Sequence, residues 1–230
     1  MRSRLLFCCA ALALAVTTRA GIIYSATSGN IPDGSVVGWS ATATASSYLP
    51  SISSISVNLN VSGGYNGDLY AYLSYGGVLV PLLNRVGVTS GNGFGYGHTG
   101  FDVTLSSAGA NDVHFYGNYS PSFNGNGQLT GTWQPDGRNI DPQSAPTAFD
   151  SASRVSFGSY NGMNPNGTWT LFLADLSAGA QSQLVNWSLD ITAVPEPVNV
   201  ALAVFGGVVA AVTVGRSRLV RKFVRQALAR

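Results

Sequence analysis

Charge is what this sequence has least of: Asp, Glu, Lys and Arg make up only 10% of its 230 residues, with a single lysine. A soluble domain normally carries about a quarter charged residues, so the shortage points to a turn-rich secreted β protein or a membrane-linked chain. Cysteine is nearly absent as well. Both copies, Cys8 and Cys9, lie in the N-terminal apolar run, which leaves the remainder without disulfides or thiolate metal sites. Basic residues are missing from the middle: between residues 21 and 215 only Arg85, Arg138 and Arg154 face all ten acids, a net of −7. That balance would repel a phosphate backbone, so nucleic acid is excluded as a partner despite the pI of about 8.6. The length itself excludes a large multidomain enzyme.

The ends carry what the middle lacks. Met1-Arg-Ser-Arg4, an apolar run from Leu5 to Val16, and Thr18-Arg-Ala20 before Gly21 have the charged, apolar and small-residue parts of a secretory signal peptide over residues 1–20. Near the other end, Val198 to Val214 has no charge. At about 1.5 Å per residue it reaches about 26 Å, close to a hydrocarbon core of roughly 30 Å. The spacing predicts a transmembrane helix over 198–215 and a basic cytoplasmic tail over 216–230, marked by Arg216, Arg218, Arg221 and Lys222. Pro195, Glu196 and Pro197 stand immediately before the span, in a linker over 194–197. A Pro-Glu-Pro triplet, an apolar helix and an arginine cluster in that order resemble the PEP-CTERM sorting signal of bacterial exopolysaccharide-associated proteins. The resemblance implies an exosortase-type processing enzyme as partner, cleavage near Pro195-Glu-Pro197, and a membrane attachment that gives way to the cell surface or matrix. The basic tail is longer than that signal's usual few arginines, which leaves a lasting anchor open.

Residues 21–193 show short runs of alternating apolar and polar residues broken by Gly, Asn, Asp and Pro, the pattern of half-buried antiparallel strands. Ile52, Ile55, Val57, Leu59 and Val61 mark one strand. Asn66-Gly-Asp68 turns into Leu69 to Leu73, and Gly76-Gly77 turns into Val78 to Val80. Further strands are expected over 36–43, 101–105, 113–116, 129–133, 168–174 and 184–191, and no stretch reads as a helix. The last two are expected to pair as a hairpin, with Trp169 and Trp187 buried.

The order Ile31-Pro-Asp-Gly34, Gly67-Asp-Leu69, Leu82-Leu-Asn-Arg-Val-Gly87, Gly131-Thr-Trp-Gln-Pro-Asp136, Phe157, Asn161-Gly162, Asn166-Gly-Thr-Trp-Thr-Leu171 and Leu184-Val-Asn-Trp-Ser-Leu189 resembles the P domain, or P/Homo B domain. That domain follows the catalytic domain of kexin- and furin-like subtilisin proteases. The resemblance implies an all-β, antiparallel β-sandwich of jelly-roll type, with Asp68, Trp133, Trp169, Asp175 and Trp187 as its structural motif. It also raises a subtilisin-like serine protease as a partner. The stretch between Arg138 and Tyr160 departs from the family in length and is expected to be an unstructured insertion.

Chemistry is harder to find. Subtilisin-type catalysis needs Asp, His and Ser on a large α/β domain, and this chain has two histidines and no such domain. His98 lies between glycine-rich turns and His114 beside Phe115 in an expected strand, so a loop or polar-face position is the reading of each. Gly91-Asn-Gly-Phe-Gly-Tyr-Gly97 has no strand leading in and no helix leading out, so it reads as a flexible surface loop and not a phosphate cradle. No catalytic residue is assigned and no cofactor is needed. Asp68 and Asp175 are the nominees for a structural calcium, which favours hard oxygens, though no EF-hand spacing accompanies them. What remains is surface binding, with Phe94, Tyr96, Tyr116 and Tyr119 as candidate ligand-loop residues whose rings would stack on sugars. The sequence therefore reads as an exported, non-catalytic module of the envelope or extracellular matrix that binds exopolysaccharide or acts as a scaffold. The alternative is an accessory domain docking on and stabilising a separate subtilisin-like protease.

Overall fold

Most of the segments between residues 19 and 194 in which apolar and polar residues alternate are strands. The computed structural model describes residues 19–228 apart from Ala26, Ser47 and Leu49. The expected signal peptide therefore lies outside the described residues, except that Arg19 and Ala20 open the first strand. By compactness the chain divides after Val194 into a β unit and a second unit that holds the C-terminal helix.

The β unit contains β1 (Arg19–Ser25), β2 (Gly29–Asn30), β3 (Ser35–Ala45), β4 (Ser51–Gly63), β5 (Leu69–Tyr75), β6 (Val78–Asn84), β7 (Phe101–Ser106), β8 (Leu129–Trp133), β9 (Gly167–Asp175) and β10 (Ser182–Val194). One sheet runs β1-β10-β4-β7-β8, with β2 also paired to β10, and the other runs β3-β9-β5-β6. Pairing is antiparallel except for β7 and β8, which are parallel. Parallel neighbours need a long crossover, and the segment 107–128 between them supplies it. The short connection Gly76-Gly77 makes a two-residue hairpin between β5 and β6, with φ of 56° and 80° at the two glycines, as a type I′ turn requires.

Both sheets contribute to one apolar core. Val57, Leu59, Val61, Trp187 and Leu189 come from the first sheet, and Leu69, Leu73, Trp169 and Leu171 from the second. Burial of each such side chain is worth about 1.5–3 kcal/mol. The irregular step from Ile52 to Ile55 is a bulge: Ala193 pairs with Ile52 and Thr192 with Ser54. The extra residue restores both isoleucines to the core face, where a regular strand would have sent one outward.

Four expectations need correction. β9 and β10 do not form a hairpin, since they belong to different sheets, although Trp169 and Trp187 are both buried. Residues 113–116 are not a strand but part of a 3-10 helix, Val113–Tyr119, whose cap residue Asp112 accepts from the His114 backbone N–H at 2.9 Å. The stretch 138–160 is structured. It contains the short helix α1 (Pro146–Phe149) and a 3-10 turn (Phe157–Tyr160), and it buries Phe149, Phe157 and Tyr160. These turns also mean that the middle of the chain is not free of helix.

In the second unit α2 (Pro197–Ala227) is one unbroken helix, longer than the expected span. Glu196 is its N-cap and Pro197 opens it, a position where the missing N–H of proline has no helical partner to lose. The segment Val198–Arg218 has a mean hydropathy of 2.1 and is long and apolar enough to cross a membrane. Inside it the Thr213 hydroxyl donates to the Val209 and Ala210 carbonyls, so that polar group is met within the helix, as a lipid environment demands. Arg216, Arg218, Arg221 and Lys222 all lie on the helix.

Candidate functional site: aromatic loops at one end of a sheet

The β4–β5 connection carries the knot on which the loops are hung. Asn66 is fully buried. Its Nδ2 donates to the Gly100 carbonyl and to Tyr116 Oη, both at 3.1 Å, while its Oδ1 accepts from the Gly100 N–H at 2.7 Å. Its own backbone N–H donates to the His98 carbonyl at 3.0 Å, and the next N–H, of Gly67, donates to Tyr96 at 2.8 Å. Gly67 has to be glycine, because a Cβ there would meet the Phe94 carbonyl oxygen at 2.2 Å. One asparagine thus fixes the segment 94–100 and the 3-10 helix Val113–Tyr119 against the end of β4. The expected glycine-rich loop is tied further by Arg85 Nη2 on the Gly93 carbonyl and Asn92 Nδ2 on the Gly95 carbonyl.

Three of the four candidate ligand-loop residues meet in one cluster. Tyr96 packs on Tyr116 with ring centroids 4.5 Å apart, Tyr116 lies 6.2 Å from Trp133, and Tyr119 lies 6.5 Å from the same indole. Tyr116, however, is a core residue and no surface contact. It is wholly buried, its hydroxyl accepts from Asn66 and stands 2.9 Å from His98 Nδ1, and burial pushes its ionisation well above the usual phenol range. Tyr96 is half-buried beneath Gly117, where a Cβ would meet its ring at 2.8 Å. Of the cluster, Tyr119 is 46% and Phe123 37% exposed; Phe94, on the same loop as Tyr96, stands apart from the rings at 87% exposure, and Tyr65 is 51% exposed. Phe123 stacks on His98 at 4.4 Å. His98 is therefore a loop residue, as expected, but one built into the ring surface. The contacts of His98 with Tyr116 and Phe123 escaped the sequence reading because those residues are distant along the chain and carry no motif. Exposed rings borne by neighbouring loops are a notable feature of a surface, and they offer π faces with polar tips nearby.

His114 corrects the polar-face expectation outright. It is fully buried, with Nδ1 2.6 Å from Asp136 Oδ2 and Nε2 2.9 Å from the Val88 carbonyl oxygen. Asp136 also accepts from the Asn84 N–H, the Arg138 N–H and Arg138 Nη1. Both ring nitrogens are thus engaged by oxygens of the interior, and neither reaches the surface. The imidazole serves to pin the 3-10 helix, the segment after β6 and the segment after β8 to one another. Arg138 extends the network to Asp112 Oδ2 at 2.9 Å and to the Phe149 carbonyl at 3.1 Å. Burial works against its charge, but Asp136 and Asp112 outweigh burial and hold its proton more firmly than usual.

The motif residues are mostly structural in position. Trp133 and Trp169 are buried and donate to the Thr130 and Pro165 carbonyls, and Trp187 lies in the core. The Asp68 carbonyl accepts from Leu176 N–H at 2.9 Å, which ties the two metal nominees' segments together. Burial raises the Asp68 carboxyl above the usual range. It raises Asp175 too, against a 2.8 Å bond from Ser182 Oγ, with the charges of Asp68 and Asp33 adding to the rise. Among the described residues no three metal-ligating side chains are grouped to hold an ion.

No protein-family model matches this chain, and no curated protein matches it. Among solved structures, an Aeromonas sobria serine protease in complex with its chaperone aligns at 14% identity with a TM-score of 0.40, covering 78% of this chain and 27% of that one. The structure of the serine protease of Aeromonas sobria aligns at 14% identity and a TM-score of 0.40, covering 77% and 27%. This chain thus spans about a quarter of the solved chains' length, and a likeness this weak carries no argument about what it does.

Proposed function

We propose that the β unit is a non-catalytic, P-domain-like module of jelly-roll type that binds exopolysaccharide through its aromatic loops. It is exported, held by α2, and processed at Pro195-Glu196-Pro197 by an exosortase-type enzyme before it joins the envelope or extracellular matrix. The observation that carries the reading is the exposure of Phe94, Tyr119 and Phe123 around a rigid Asn66–Tyr116 base. Tyr119 and Phe123 are packed against Trp133 and His98, and side chains already held in place lose less entropy on binding, which favours recognition. The occupied nitrogens of His114 support a module without hydrolytic chemistry.

The test uses the full chain in non-ionic detergent micelles, titrated with neutral oligosaccharides cut from the native matrix. Replacing Phe94, Tyr119 and Phe123 together by Ala is expected to weaken binding at least tenfold. The same change is expected to leave stability within about 0.5 kcal/mol per site, as for other exposed positions. Unchanged binding in the triple variant would sink the reading. Cross-linking in the native envelope that recovers a subtilisin-like protease and no glycan would replace it with the accessory-domain role.

A further inference from the structure

The opposite end of β7 and β8 carries a second site. Two adjoining hollows of about 260 and 290 Å³ share Ser107 and Ser156 and form one groove, of the size class that holds small ligands. Gln134 and Arg154 border one lobe, Ser53 and Asn161 the other. Arg154 spends Nε on the Asp136 carbonyl and Nη2 on the Pro135 carbonyl, each at 2.7 Å. Asp112 Oδ1 is 3.6 Å from Nη2, and the side chain is 39% exposed. Among the described residues nothing bonds Nη1. The other two arginines of the middle region are otherwise engaged: Arg138 is buried within its carboxylates, and Arg85 donates to Gly67 and Gly93.

We infer that this groove binds a uronate-containing polysaccharide, its carboxylate on Arg154 Nη1 and its hydroxyls on the serines and amides. A guanidinium held flat by two carbonyls is pre-organised to meet a planar carboxylate. Hydroxyls and amides beside it match a ligand dense in hydroxyl groups, and two joined lobes suit a chain of sugar units better than a single small ion. A peptide adding as a strand would need free backbone groups. Those of Ile52 beside the groove are already bonded to Met163 and Gly162 at 2.9 and 2.8 Å.

The experiment titrates the full chain in micelles with tetragalacturonate and with its methyl ester, which keeps the hydroxyls and removes the charges. The acid is expected to bind at least tenfold more tightly than the ester, and Arg154→Gln to bring the acid down to the ester's level. Because Arg154 also holds two carbonyls, Ser107→Leu is the second variant. It narrows the wall shared by the lobes and leaves every Arg154 bond in place, and it is expected to cause a similar loss. Equal binding of acid and ester, full binding by Ser107→Leu, or a tetrapeptide with a free C-terminal carboxylate competing as well as the tetragalacturonate would each overturn the assignment. The Phe94, Tyr119 and Phe123 triple variant is expected to keep its tetragalacturonate binding, so failure of the aromatic-loop reading is distinguishable from failure of this one.

Discussion

At one end of β7 and β8 the carboxylates are matched, and at the other they are not. Asp112 and Asp136 near the groove meet Arg138, Arg154 and His114 at 2.6 to 3.6 Å. Asp68 and Asp175, at the turn leading from β4 into β5 and at the end of β9, are raised chiefly by burial, with the charge of Asp33 adding to both and that of Asp68 adding to Asp175. The difference teaches what each end is built to do. The matched end organises a buried charge network at whose margin Arg154 borders a groove. The aromatic end is organised by neutral bonds from Asn66, buries Tyr116, and leaves Phe94, Tyr119 and Phe123 outside. A buried ion cluster holds only while every partner is present, whereas a network of neutral bonds loses its members piecemeal.

That contrast can be broken most severely at Asp136. Asp136→Ala leaves His114 and Arg138 buried without their carboxylate and is expected to destabilise the β unit by about 3–5 kcal/mol, measured by denaturant unfolding of the full chain in micelles. A loss below 1 kcal/mol would show that the network does not hold the groove end together. At the aromatic end Asn66→Ala strands the Gly100 backbone groups and is expected to cost about 1–3 kcal/mol. The same unfolding measurement checks it, and a cost equal to that of Asp136→Ala would erase the distinction between the ends. The smallest effect concerns pH. The Asp175 carboxyl titrates higher in the fold than its ordinary 3.8, so as pH falls the folded state takes up this proton before the unfolded chain does. Its stability contribution is therefore fully present below 3.8 and is lost as pH rises through the folded value. Wild type is expected to gain on Asp175→Asn as pH is lowered from 7, with the gain levelling off near 3.8. A flat difference between the two proteins would contradict the unmatched state of that carboxyl.

How much of this was legible beforehand varies residue by residue. Val57, Leu59 and Val61 announced their strand because a period of two is set by neighbours along the chain, and Gly76-Gly77 announced a hairpin because both positions need positive φ. Val113-His-Phe-Tyr116 showed similar alternation and was misleading. Asp112 caps that segment, and the partners of His114 come from residues 88 and 136. The groove was illegible, since Ser53, Ser107, Gln134 and Arg154 share no local signal.

The sequence by itself determined most of the strands, that the middle is acidic, and that an apolar helix with arginines after it follows the β unit. Those properties depend on adjacent residues and on composition. Only the tertiary structure decided that β9 and β10 enter different sheets, that Tyr116 and His114 are interior while Phe94 and Tyr119 are outside, and that Arg154 borders a groove. Strand partners, burial and hydrogen-bond satisfaction are set by residues far apart along the chain, and local periodicity holds no record of them.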